Sequence, residues 1–172
     1  MYGFKGRRII YLDTDTIVTR DLEGVFDLMG DAPLGVSQRL KDDRLQGRFG
    51  HLMPRLAEAF EYRMEPPNIS TGMVVCNNFD PELIYGMWAE VMGHELFVEL
   101  LGKHMTTEEY AIAIACARMF DDPAKVWDIP HEIHGNIYKK NKNFGEAEVP
   151  WVMHYHRPGW AKWHGIEEWL NV

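Results

Sequence analysis

Ile9-Ile10-Tyr11-Leu12-Asp13-Thr14-Asp15-Thr16-Ile17-Val18 is the stretch on which the fold turns. Its first four residues form an unbroken apolar run. That predicts a short strand covered on both faces. The strand runs straight into two carboxylates. Alternate strand residues share a face, so Asp13 and Asp15 are expected to point the same way. Two carboxylates so placed can share Mg²⁺ or Mn²⁺, ions that take oxygen ligands and bridge to phosphates. Open α/β sheets place ligands at the carboxyl edge of their strands. The same residues also read as an acidic turn whose side chains cap backbone amides.

Further strands and helices alternate outward from this stretch. Asp21 to Met29 reads as a turn or short helix, and Pro33 to Val36 as a short strand. Residues 39 to 50, with three arginines and two glycines, read as a loop. Leu52, Leu56, Ala59, Phe60 and Met64 have helical spacing, and Pro66-Pro67 stops that helix. Gly72-Met73-Val74-Val75-Cys76 is the second buried strand. Pro81 opens a helix as a first-turn proline, with Leu83, Met87, Val91, Ile84 and Trp88 on one face. Thr106-Thr107-Glu108-Glu109 has the form of a capping box, and its helix runs to Met119. Val126 to Ile129 and Val149 to Tyr155 are the last strands. The alternation favours an α/β layer architecture in a single domain over residues 1–172.

Composition narrows the function. The 172 residues are 46% hydrophobic and 26% charged, which sets disorder aside. The formal net charge is −8, which argues against a nonspecific nucleic-acid binder. An anionic ligand is still compatible, because acidic residues can place a metal ion that holds a diphosphate. Cys76 and Cys116 lie far apart inside apolar runs and read as buried free thiols. No apolar run approaches the length that spans a bilayer, and the amino terminus has no signal-peptide core. A cytoplasmic chain is the expectation, unless a targeting segment lies outside it.

The stretch from Ile10 to Val18, with Asp21-Leu22 and Val25-Phe26-Asp27-Leu28 after it, closely resembles the DxD region of family 8 and related glycosyltransferases. Three further segments agree. Ile69-Ser70-Thr71-Gly72-Met73-Val74-Val75-Cys76-Asn77 is similar to the family's segment lining the donor-sugar and acceptor site. Ser70 stands where the family usually has Asn. Thr107-Glu108-Glu109-Tyr110-Ala111 resembles the acidic segment at a helix start near the donor sugar. Val152-Met153-His154-Tyr155-His156-Arg157-Pro158-Gly159-Trp160-Ala161-Lys162-Trp163 resembles the closing segment, which has a metal-ligand His and then a Lys before Trp. Gly159 and Lys162 fall somewhat later than is usual in the family.

The resemblance implies a GT-A fold: a mixed sheet with flanking helices. It implies Asp13, Asp15 and His154 as ligands of Mn²⁺ or Mg²⁺, with His156 the alternative to His154. Lys162 would contact the diphosphate and assist its departure. Glu108 would act beside the donor sugar, and Ser70, Gly72 and Glu109 would line the substrate site. The implied reaction transfers a sugar from a nucleotide-sugar donor, such as a UDP-sugar, to a carbohydrate or protein acceptor with retained anomeric configuration. The GT-A fold opens with strands that bind base and ribose, and only twelve residues precede Asp13. The amino-terminal nucleotide-binding strands are therefore expected to be missing, the chain being a later part of the fold.

Two rivals use the same residues. A haloacid dehalogenase-type phosphohydrolase would take Asp13 as nucleophile and Asp15 as acid/base, but it leaves the closing segment unexplained. A non-catalytic carbohydrate-binding remnant would stack sugars on Trp160, Trp163 and Trp169. His131-Glu132-Ile133-His134 has helical spacing between Pro130 and Gly135 and reads as a surface or loop feature. Lys139-Lys140-Asn141-Lys142 reads as a solvated loop.

Overall fold

The computed structural model describes residues 8–38, 50–102, 107–137 and 149–155. The order of elements is β1 (Ile9–Leu12), β2 (Thr16–Val18), α1 (Gly24–Met29), β3 (Leu34–Gln38), α2 (Met53–Phe60), β4 (Ile69–Cys76), α3 (Pro81–Gly93), α4 (Glu95–Leu101), α5 (Thr107–Met119), β5 (Val126–Ile129), β6 (His134–Ile137) and β7 (Val152–Tyr155). Two mixed sheets result. One has the order β1-β4-β3-β5 and the other β2-β7-β6. In the first, β4 runs antiparallel to β1 and β3, while β5 runs parallel to β3. In the second, β7 is antiparallel to β2 and parallel to β6.

Local chemistry sets the boundaries. Pro81 occupies the first turn of α3, where its missing N–H costs nothing, and the Asp80 carboxylate accepts from the Glu82 N–H at 3.0 Å. Helix α2 stops at Glu61, which takes a left-handed conformation at φ 50°, well before Pro66-Pro67. After α5, the Asp122 carboxylate accepts from the Ala124 N–H at 2.9 Å and starts a 3-10 turn into β5.

Three apolar clusters hold the layers. Leu34, Val36, Ile69 and Cys76 of the first sheet pack on Ile84 of α3 and on Ala113 and Cys116 of α5. Leu56, Phe60, Val91, Phe97, Leu101, Tyr110 and Ile114 join the four longer helices. Val25, Phe26 and Met29 of α1 join Met73 and Val75 of β4, Ile129 of β5 and Val152 of β7. This third cluster fastens one sheet to the other beneath the β1–β2 turn. Both cysteines are free and buried, as their apolar flanks predict. Among the described residues, no helix is long and apolar enough to cross a membrane.

Strand β1 departs from its sequence reading. It is not covered on both faces. Its residues are half-buried except Tyr11, which is 57% exposed, and among the described residues it pairs with β4 alone. The apolar run reflects one face against the third cluster, through Ile10 and Leu12, and another face left open at Tyr11.

Candidate metal centre

The chain leaves β1 at Leu12, turns through Thr14 and Asp15, and re-enters a strand at Thr16. Asp13 and Asp15 therefore converge through a tight turn and not through strand alternation, which corrects the sequence expectation. Two hydrogen bonds fix the turn. The Asp13 N–H donates to the Gly72 carbonyl at 3.1 Å, and the Thr16 hydroxyl donates to the Asp13 carbonyl at 2.7 Å. The turn thus extends the β1–β4 ladder by one bond and then folds back into β2.

His154 arrives from β7. The antiparallel register pairs Thr16 with His154 and Val18 with Val152. The Thr19 N–H donates to the Trp151 carbonyl at 2.9 Å, which secures that register just beyond the ladder. The imidazole Nε2 lies 3.0 Å from Asp15 Oδ1 and 3.6 Å from Asp13 Oδ2. The His154 side chain is 4% exposed, against 29% for Asp13 and 32% for Asp15. The ring is embedded in the fold, while the carboxylates open toward solvent. One oxygen from each aspartate and a ring nitrogen all lie within 4.8 Å of one another. Two carboxylates and an imidazole on one point form a mixed oxygen and nitrogen donor set that fits a divalent cation.

Burial raises the Asp13 carboxyl above its ordinary value; His154 and the Tyr11 hydroxyl oppose that, and the Asp15 charge adds to it. The Tyr11 hydroxyl is itself raised, by burial first and then by Asp13. Crowding two carboxylates in a half-buried turn is costly, and a cation between them relieves the cost.

Gly72 explains how the imidazole fits. A Cβ on Gly72 would collide with Nδ1 of His154, and it would lie 2.9 Å from Cε1 of His134. Strand β4 is irregular here. Val36 pairs with Val74, but Ser37 pairs with Ser70, so Thr71, Gly72 and Met73 form a bulge with no partners in β3. The buried Ser37 hydroxyl spans the bulge and donates to the Met73 carbonyl at 3.0 Å. Glycine is thus required by close approach of a side chain.

The other expected residues are dispersed. Ser70 is buried in β4, 2% exposed. Glu108 is exposed and Glu109 buried on the first turn of α5, and neither joins the Asp–Asp–His group. Thr106 of the expected capping box, His156, Lys162, the tryptophans of the closing segment and Lys139 to Lys142 lie outside the described residues.

Sequence reasoning missed one neighbour. His134 is not a surface or loop residue: it opens β6 and is 2% exposed. Its ring centroid lies 5.4 Å from that of His154. The available signal was Gly135, a lone glycine among strand-like residues, which often marks a close approach. Here the space of its absent side chain is filled by Pro150.

No protein-family model and no curated protein sequence matches the chain. Solved structures do match. The galactosyltransferase LgtC, in complex with donor and acceptor sugar analogs, is 17% identical with a TM-score of 0.55. That match covers 95% of this chain and 59% of that one. Mouse xyloside xylosyltransferase 1, in its apo form, is 12% identical with a TM-score of 0.46, covering 87% of this chain and 58% of that one. The likeness to LgtC gives the fold as GT-A, mixed sheets with flanking helices, as the family resemblance implies. The chain spans about three fifths of the length of these two transferases.

Proposed function

We propose that the chain is the cation-binding portion of a metal-dependent glycosyltransferase that draws a sugar from a nucleotide-sugar donor, in particular a UDP-sugar. The supporting observation is the convergence of Asp13, Asp15 and His154 from two sheets onto one point, within a transferase fold. These three residues would hold Mn²⁺ or Mg²⁺; the imidazole nitrogen suits a transition metal better than Mg²⁺, which favours Mn²⁺ of the two. A divalent ion held there supplies charge neutralisation for a departing diphosphate. The protein's part is to keep the donors in place before the donor sugar arrives. The Gly72 carbonyl and the Thr16 hydroxyl fix the turn, and the buried His154 ring is confined. Such preorganisation removes a reorganisation cost from the reaction.

The finer assignments follow from the resemblance. Lys162 adds positive charge at the diphosphate. Glu108 stands beside the donor sugar, with Ser70, Gly72 and Glu109 around donor and acceptor. The acceptor is a carbohydrate or a protein, and anomeric configuration is retained. The phosphohydrolase reading gives His154 no role against Asp15, and it is the weaker account.

Release of UDP from UDP-sugars, followed with Mn²⁺ and with a chelator in its place, tests the reading. Mn²⁺-dependent release that the Asp15→Asn variant lacks supports it. Metal-stimulated hydrolysis of p-nitrophenyl phosphate without UDP release overturns it in favour of the rival.

A further inference from the structure

His134 and His154 lie on adjacent parallel strands. The register pairs His134 with Val152 and Asn136 with His154, so the two histidines stand diagonally on one face of the β2-β7-β6 sheet. Their rings are 5.4 Å apart at an interplanar angle of 47°, within the range of a packed aromatic pair. His134 is 2% exposed and His154 3%, so neither ring is shared with solvent. Gly72 lies against both: the position of its absent Cβ falls on the His154 ring and 2.9 Å from Cε1 of His134. The His154 imidazole is thus confined by the His134 ring and the bare Gly72 backbone, with its Nε2 left facing Asp15.

We infer that His134 is a positioning residue for His154: its ring holds the imidazole in the orientation that aims Nε2 at the two carboxylates. The inference rests on the metal-centre reading above. His134 itself lies outside the donor group formed by Asp13, Asp15 and His154. Its contribution is confinement of a ligand, of the kind that neighbours of metal-bound histidines supply. A planar ring is what the site requires. A flexible polar chain does not supply one.

Co²⁺ titration of the whole chain, followed by its visible absorption, tests this. The bands of Co²⁺ distinguish a site with a nitrogen ligand from one built of oxygens alone. His134→Gln is expected to weaken Co²⁺ binding about tenfold, the lower end of the losses seen when hydrogen-bonded outer neighbours of metal ligands are removed. Its spectrum is expected to move toward that of His154→Gln. His134→Ala should behave alike, and His134→Gln keeps the test open if the Ala variant fails to fold. A folded His134→Gln variant with unaltered affinity and spectrum overturns the role while leaving the metal centre standing. Absence of Co²⁺ binding by the unaltered chain overturns the metal centre and this role together.

Discussion

Nε2 of His154 lies 3.0 Å from Oδ1 of Asp15, and this contact joins the turn after β1 to the strand closest to the carboxyl end of the described chain. The two partners are placed in different ways. Asp15 is placed by the β1–β2 turn, and His154 by the pairing of β7 with β2.

The first prediction concerns Gly72. A methyl group there has no room, because the His154 ring and His134 Cε1 already occupy the space. Gly72→Ala is expected to destabilise the fold by about 1–3 kcal/mol, the usual cost of overpacking. It should also weaken Mn²⁺ binding, because the ring must shift. Urea denaturation and a Mn²⁺ titration check the two effects. A variant with unaltered stability and affinity would contradict the packing described for the site.

The second prediction concerns the core. Leu34 is fully buried in β3 between β4 and β5. Leu34→Ala should cost about 2–5 kcal/mol by urea denaturation. The exposed Leu83, on α3, is the control. Leu83→Ala should stay within about 0.5 kcal/mol of the unaltered chain.

The third prediction is a pH dependence. Burial holds the Cys76 thiol up at about 11 and the Cys116 thiol up at about 12, against 9.0 for a free thiol. The folded chain keeps these protons at pH values where the unfolded chain releases them. Their contribution to stability is therefore complete below pH 9.0 and declines from there up through the folded values. The decline reaches up to about 1.4 kcal/mol per pH unit for each thiol. Urea midpoints measured from pH 8 to 11 should fall, and a Cys76→Ala, Cys116→Ala double variant should fall less steeply. Equal slopes would contradict the burial of these thiols.

Much of the architecture could be read from local signals. The apolar run at Ile9–Leu12 and the Val126–Ile129 strand appear within the predicted bounds, and the run from Gly72 to Cys76 is the second half of β4. Pro81 marks the start of α3 because its ring suits a first turn and little else. What could not be read depends on pairing. The irregular β4 register that presents Gly72 is set by β3, through the Ser37 hydroxyl bond. Helix α4 is short, and His94 both ends the helix before it and caps it, its Nδ1 accepting from the Leu96 N–H at 3.3 Å. A histidine cap carries no strong sequence signal.

The candidate site divides the same way. Asp13 and Asp15 were legible because spacing and context both flag them. Their convergence has a different cause from the one expected, since a turn and not a strand brings them together. His154 was legible through resemblance alone, which also preferred it to His156; the β2–β7 register sets it opposite Thr16, while His156 lies outside the described residues. His134 was illegible because its helical spacing from His131 suggests one element, while the chain forms another.

The most direct test is calorimetric titration of Mn²⁺ together with UDP into the unaltered chain and into Asp15→Asn and His154→Ala variants. Saturable binding by the unaltered chain, weakened at least about tenfold in each variant, is the expected result, a change of about 1.4 kcal/mol or more. Equal affinity in all three proteins, with the variants still folded, would contradict a cation site shared by the two carboxylates and the imidazole.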